Sequence, residues 1–130
     1  SGDAVAAALR QNPAQVFKTL VTVARSGNHY VFMIPVCSEL DLKRAATAVH
    51  EKSIDMLKQR DLLGLTGYIH GGCSPIGMKK QFKTVADASA NNFATIIFSA
   101  GRPGYQVEIS PTDLSKLIPL SFSDVCISQN

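Results

Sequence analysis

Residues 67–80, GYIHGGCSPIGMKK, constrain the fold more than any other stretch of the chain. They hold Gly67, Gly71, Gly72, Gly77, Pro75 and a closing Lys79-Lys80 pair. Glycine admits positive φ, and Pro75 fixes its own φ while restricting Ser74 before it. Neither a helix nor a strand runs through such a segment, so regular elements must end before it and restart after it. Main-chain amides left unpaired in such a loop converge on a concavity that holds an anion or a polarised carbonyl. A tight connection between two strands is the plainer reading. Tyr68-Ile69 entering and Lys79-Lys80 leaving favour a pocket mouth with cationic neighbours.

The flanking patterns alternate between the two periods. An Ala-rich helix is expected over residues 3–10, with Asp3 as N-cap and Asn12-Pro13 as its stop. Residues 15–25 read as a strand, with Val16, Lys18, Leu20 and Thr22 on one face and Phe17, Thr19, Val21 and Val23 on the other. Ser26-Gly27-Asn28 turns it into a second strand over 29–36. Ser38-Glu39-Leu40-Asp41 has capping-box form and is expected to open a helix reaching His50. A short strand over 52–57, a short helix over 58–65 and, beyond the loop, an extended stretch over 81–86 and a helical turn over 87–90 follow. Residues 93–99 and 105–109 form a hairpin through Gly101-Arg102-Pro103-Gly104. Ser110-Pro111-Thr112-Asp113 then starts a last helix to about 118. The expected fold is a single α+β domain over residues 3–130, its sheet mixed, largely antiparallel and barrel-like, with helices interspersed.

Composition narrows the class. The 130 residues are 45% hydrophobic and 18% charged, as in a soluble globular domain. No apolar run nears a membrane span, and no signal peptide is expected before the fold. Ser1-Gly2 reads as an expression scar. A net charge of +3 permits an anionic partner without demanding one. Cys37, Cys73 and Cys126 are widely spaced and lack a C-x-x-C pair, which argues against disulfides or zinc and fits the cytoplasm.

Lys18 needs an explanation of its own. A mid-strand ammonium between Val16, Phe17 and Leu20 must find an anion, snorkel out or lose its proton. It is either an edge-strand lysine that discourages aggregation or a pocket lysine that holds a phosphate or a carbonyl oxygen. Val16-Phe17-Lys18-Thr19-Leu20, Leu40-Asp41-Leu42-Lys43, and Leu65-Thr66-Gly67-Tyr68 leading to Gly71-Gly72-Cys73-Ser74-Pro75-Ile76-Gly77 occur in this order. In that order they resemble the YbaK family, the editing domains also inserted in bacterial prolyl-tRNA synthetases. The resemblance spans residues 15–118.

That resemblance implies hydrolysis of the ester joining a wrong amino acid to proline tRNA, with no metal and no cofactor. It implies that Lys18 binds the substrate's terminal nucleotide. Gly71, with Gly72, Cys73, Ser74 and Pro75 of the G-x-x-x-P loop, would position the aminoacyl group and its carbonyl. For cysteine, the substrate's own thiol attacks the ester. In some members a serine and an acid near the last hairpin contribute; Ser99, before Gly101, matches the serine, whereas Gln106 stands where the acid is expected. The family's additional first strand has no counterpart here. Cysteine is the expected wrong amino acid and alanine the runner-up. A prolyl-tRNA synthetase is an optional second partner, and a non-catalytic aminoacyl-nucleotide or synthetase binder is the competing class.

Other residues offer weaker chemistry. His70 three residues before Cys73 invites a Cys/His nucleophile, but no third orienting group is evident. His29 and His50 read as a strand end and a helix C-terminus. Lys79, Lys80, Lys83 and Arg102 form either an RNA-facing rim or an ordinary solvated surface.

Overall fold

The computed structural model describes residues 11–128, so the helix expected over 3–10 lies outside the described residues. The first hairpin forms as the alternation predicts. Strand β1 (Phe17–Ala24) pairs antiparallel with β2 (His29–Pro35), from Phe17 opposite Pro35 to Val23 opposite His29. Gly27 at φ 91 supplies the left-handed residue of its turn.

Helix α1 (Leu42–Ala48) begins later than the Ser38 box suggests. Asp41 is the N-cap, accepting from the amides of Lys43 at 3.0 Å and Arg44 at 3.1 Å. Ser38 instead donates its amide to Pro35 O as the chain leaves β2. The helix stops at His50, which takes φ 60, while Glu51 N reaches back to Ala46 O. This is a closure that glycine usually makes.

Strand β3 (Ile54–Met56) pairs with the second half of β1. Helix α2 (Gln59–Thr66) ends on Gly67 at φ 85. Strand β4 (Thr84–Asp87) leads into a short 3-10 turn (Ala88–Asn92) that Asp87 caps. The second hairpin, β5 (Ile96–Ser99) and β6 (Gln106–Ile109), forms as expected. Ser110 caps α3 (Pro111–Leu117), with Pro111 in its first turn. Strand β7 (Leu120–Ser123) was not expected.

The main sheet has the order β3-β1-β2-β4-β7. Its β3-β1-β2 half is antiparallel, while β2-β4 and β4-β7 are parallel. Strands β5 and β6 make a second sheet, tied to the first by a parallel bridge between Val16 and Ile97 rather than closed into one barrel.

Both faces of the main sheet are covered. Ala45, Ala46 and Val49 of the α1 region pack on Phe32, Ile34 and Val85. On the other face, Phe17, Met33 and Ala86 meet Ile96, Phe98 and Leu114. Beside them, Val21 and Val31 pack against Cys73, Met78 and Phe82, so the Gly-rich loop is part of the core layer. Among the described residues no helix is long and apolar enough to cross a membrane.

Candidate active site

The loop is held at its base and braced across its middle. Lys79 N donates to Thr66 O at 3.0 Å, closing residues 67–78 into one unit. Thr66 Oγ1 donates to Leu62 O and accepts from Tyr68 N, so the helix end and the loop start are one hydrogen-bonded piece. The Tyr68 hydroxyl donates to Ile76 O. A Cβ on Gly77 would lie 2.9 Å from that hydroxyl oxygen, and one on Gly101 2.8 Å from Tyr68 Cε1. Tyr68 is thus the post around which loop and hairpin turn both fold. The sequence places Tyr68 at the mouth of the loop but does not show this bracing role, although an aromatic between glycines is the signal that could have shown it.

Within the loop, Gly72 N donates to Ile69 O and Ile76 N to Ser74 Oγ. The amides of Gly71, Cys73 and Ser74 find no acceptor among the described residues. Cys73 and Ser74 are buried, at 8% and 2% exposure. Main-chain amides without a protein acceptor are uncommon in buried residues and are satisfied by water or a ligand. Burial pushes the Cys73 thiol up to about 11. It is therefore a protonated thiol at neutral pH and a poor nucleophile. His70 is exposed at the loop surface, and burial alone accounts for the state of the thiol.

The second hairpin supplies the facing wall. A Cβ on Gly72 would meet Pro103 Cδ at 3.0 Å and Arg102 Cα at 3.5 Å, so only glycine lets the two turns approach this closely. Ser99 Oγ accepts from Gly101 N at 3.3 Å. Gln106 pairs with Ser99 in register, but its side chain accepts from Gln11 Nε2 at 2.9 Å.

Lys18 enters from the open edge of β1. Val36 N bonds Val16 O and Ala24 N bonds Asn28 O, so even-numbered residues of β1 turn their main chain toward β2. Odd-numbered ones face outward, where Ile97 N bonds Gln15 O at 3.1 Å and Leu57 N bonds Val21 O at 3.0 Å. Between those anchors no strand among the described residues covers the edge. Two residues on from the Val16–Ile97 bridge, along both strands, lie Lys18 and Ser99 on the same face. Lys18 is half-buried and makes no ion pair among the described residues. By strand alternation it projects from the face opposite Val21, on which Cys73 packs.

A pocket of about 200 Å³ lies in this gap, lined by Thr19, Leu20, Val21, Met56, Leu62 and His70 among others. A larger one, of about 360 Å³, lies away from it, beside Pro35, Cys37, Asp87 and Cys126. Neither pocket is lined by Lys18, residues 71–75, Ser99, Gly101 or Gln106. The Asp87 carboxylate of the larger one is already taken by the amides of Ser89 and Val125, a structural use.

Lys79, Lys80 and Arg102 are exposed. The Lys79 stem lies over Gly67, Lys80 Nζ sits 5.9 Å from the Phe82 ring, and Arg102 Cζ sits 5.2 Å from the Tyr105 ring. Tyr105 is 61% exposed beside the Gly72–Pro103 contact.

Comparison with known proteins meets this geometry. The family model described as aminoacyl-tRNA editing domain matches residues 2–117. An Enterococcus faecalis (strain ATCC 700802 / V583) protein, EbsC, named as a candidate Cys-tRNA(Pro)/Cys-tRNA(Cys) deacylase, is 44% identical over 125 residues, covering 96% of this chain and 76% of its own. A solved structure described as a candidate trans-editing enzyme for prolyl-tRNA synthetase superposes with a TM-score of 0.88 at 23% identity, over 98% of this chain and 80% of that one. The crystal structure of the hypothetical protein APE2540 gives a TM-score of 0.89 at 22% identity, over 98% and 84%. The chain belongs to the aminoacyl-tRNA editing domain family.

Proposed function

We propose that this protein is a trans-acting deacylase of misacylated proline tRNA, with the cysteinyl ester as its main substrate. The observation that carries the reading is the close packing of the loop on the second hairpin's turn, Gly72 against Pro103 and Arg102, where the amides of Gly71, Cys73 and Ser74 have no acceptor among the described residues. Family membership and the name of the EbsC relative support the reaction class.

In this mechanism the loop amides hold the ester carbonyl and stabilise the negative charge that develops on it. Lys18 holds the terminal nucleotide, and Ser99, with Gly101 beside it, completes the wall. The substrate thiolate forms a C–S bond to its own carbonyl carbon as the ester C–O bond breaks. The ribose oxygen leaves and takes up a proton, and water then opens the thiolactone. Positioning an internal nucleophile in this way lowers the barrier by several kcal/mol. The enzyme supplies no nucleophile, which agrees with a protonated Cys73.

Cys73→Ala is therefore expected to keep most of the deacylation rate, because the side chain serves as buried packing. Deacylation of Cys-charged proline tRNA by the folded variant checks this, and complete inactivity would point to the enzyme thiol instead.

Lys79, Lys80 and Arg102, with Tyr105 as a stacking surface, form the rim that meets the acceptor end. With two to four phosphate contacts, the log–log salt slope of binding is expected at about −1.5 to −3, from roughly −0.7 per single-strand contact. Replacing Lys79 and Lys80 together by alanine should flatten that slope and raise KM more than it lowers kcat. Filter binding across a salt series measures it, and an unchanged slope would remove both lysines from the RNA surface.

The reading as a whole is tested by presenting purified protein with Cys- and Ala-charged proline tRNA and following release of the amino acid.

A further inference from the structure

We propose that the end of the main sheet at the β1–β2 turn binds the sugar-phosphate backbone of duplex RNA, through Arg25, Lys52 and Lys83. The inference rests on the deacylase reading for the identity of that RNA, the acceptor stem of the tRNA, and adds a contact remote from the ester.

The topology gathers these cations. Strand β1 runs toward the turn, and β2, β3 and β4 all run away from it, as their registers require. The end of β1 therefore lies beside the beginnings of the other three. Ala24 pairs with Ile54, and Arg25 N donates to Ser53 O at 3.1 Å, which puts Arg25 beside Lys52. On the far side of β2, Val31 N donates to Lys83 O at 3.0 Å. Lys52, Arg25 and Lys83 thus follow one another across β3, β1, β2 and β4, over about 14 Å at ordinary strand spacing.

Their charges are free. All three residues are exposed and make no ion pair among the described residues. Two acids stand near them. The Glu51 carboxylate accepts from the Tyr30 hydroxyl, Ser26 Oγ and Asn28 Nδ2, which brace the turn, and Asp55 lies further up β3. The opposite end of the sheet is acidic. Asp87 ends β4 there, and Glu39, Asp41 and Asp124 lie where the chain between β2 and α1 meets residues 124–127. Arg44 already answers Asp41 and Asp124. A polyanion is drawn to one end of the sheet and repelled from the other.

The spacing suits the acceptor stem. Ala24 lies six residues along β1 from Lys18, about 20 Å at the rise of a strand. About four unpaired nucleotides, stacked at roughly 3.4 Å each, carry the first base pair about 14 Å from the ester. The cations at the end of β1 therefore reach the duplex, while Lys79, Lys80 and Arg102 meet the single strand. Lys80 joins the two surfaces, because its Nζ sits 5.9 Å from the Phe82 ring, which packs 5.6 Å from the His29 ring at the start of β2. Duplex RNA is held mostly by shape and phosphate contacts, so a row of cations is sufficient chemistry.

Filter binding of uncharged proline tRNA across a salt series tests this, with a single-stranded oligonucleotide of the acceptor-end sequence as control. Replacing Arg25, Lys52 and Lys83 together by alanine is expected to flatten the log–log slope on tRNA by about 2 to 3, at roughly 0.9 per duplex phosphate contact, and to leave oligonucleotide binding at the wild-type level. Each single variant should flatten the slope by about 0.9, so a triple variant that fails to fold leaves the test standing. An unchanged tRNA slope in the folded variants would overturn the inference and give these cations to an acidic protein partner or to solvent. Equal losses on tRNA and oligonucleotide would also overturn it, by moving the three residues to the single-strand rim. Wild type that binds tRNA through this surface but leaves the cysteinyl ester intact would overturn the deacylase reading and keep the RNA surface.

Discussion

Lys18→Ala is expected to lower kcat/KM for deacylation by about two orders of magnitude or more, the scale of losing one preorganised electrostatic partner. The physical reason is the lysine's position. It stands half-buried on β1 between Val16 and Leu20, beside the Ser99 end of β5, and no carboxylate among the described residues answers its charge. Desolvating an ammonium without a partner costs free energy that only an anionic ligand returns. For the same reason the fold does not need the charge. Lys18→Ala and Lys18→Met should therefore melt close to wild type while remaining inactive. Lys18→Arg should recover little, because a planar fork on a longer stem places its charge differently. Wild-type rates in a folded Lys18→Ala protein would reduce the residue to an edge-strand charge.

Gly71→Val is expected to produce a comparable loss by another route. Gly71 has φ 85, and a β-branched residue there is strained whatever the space around it. A Cβ at this position meets nothing within 4 Å, so no neighbouring side chain is displaced. The strain, about 1–2 kcal/mol even for an ordinary residue, is relieved by rotating the peptide units that carry the unpaired amides. The expected result is at least a hundredfold fall in kcat with a change of only a few degrees in melting temperature, since Gly71 is exposed. Gly72→Ala differs, because its Cβ would press on Pro103 at 3.0 Å and part the two turns. A Gly71→Val enzyme with normal kcat would remove the loop amides from the mechanism. Steady-state kinetics of the folded variant decides it.

Local chemistry explains what was legible in the sequence and what was not. Strands β1, β2, β5 and β6 follow from alternation bounded by turn residues, and α3 follows from Ser110-Pro111. The start of α1 was misplaced because Ser38 and Asp41 both carry cap chemistry. The choice between them is made by the Asp41 amide, which donates to Val125 O across the fold. Strand β7 is four residues long after Pro119, and its pairing with β4 is parallel and non-local, so no hairpin signal announces it.

The site divides in the same way. The loop's left-handed glycines are written in the sequence. The placing of Lys18 and Ser99 on a common face is not, because it depends on one bridge between residues 16 and 97.

The most direct measurement is release of cysteine from Cys-charged proline tRNA by the purified protein, with Pro-charged tRNA as control and Lys18→Ala in parallel. The account predicts hydrolysis of the cysteinyl ester far above the buffer rate, prolyl ester left intact, and the variant at background. A cysteinyl ester that decays no faster with wild-type protein than in buffer would contradict it.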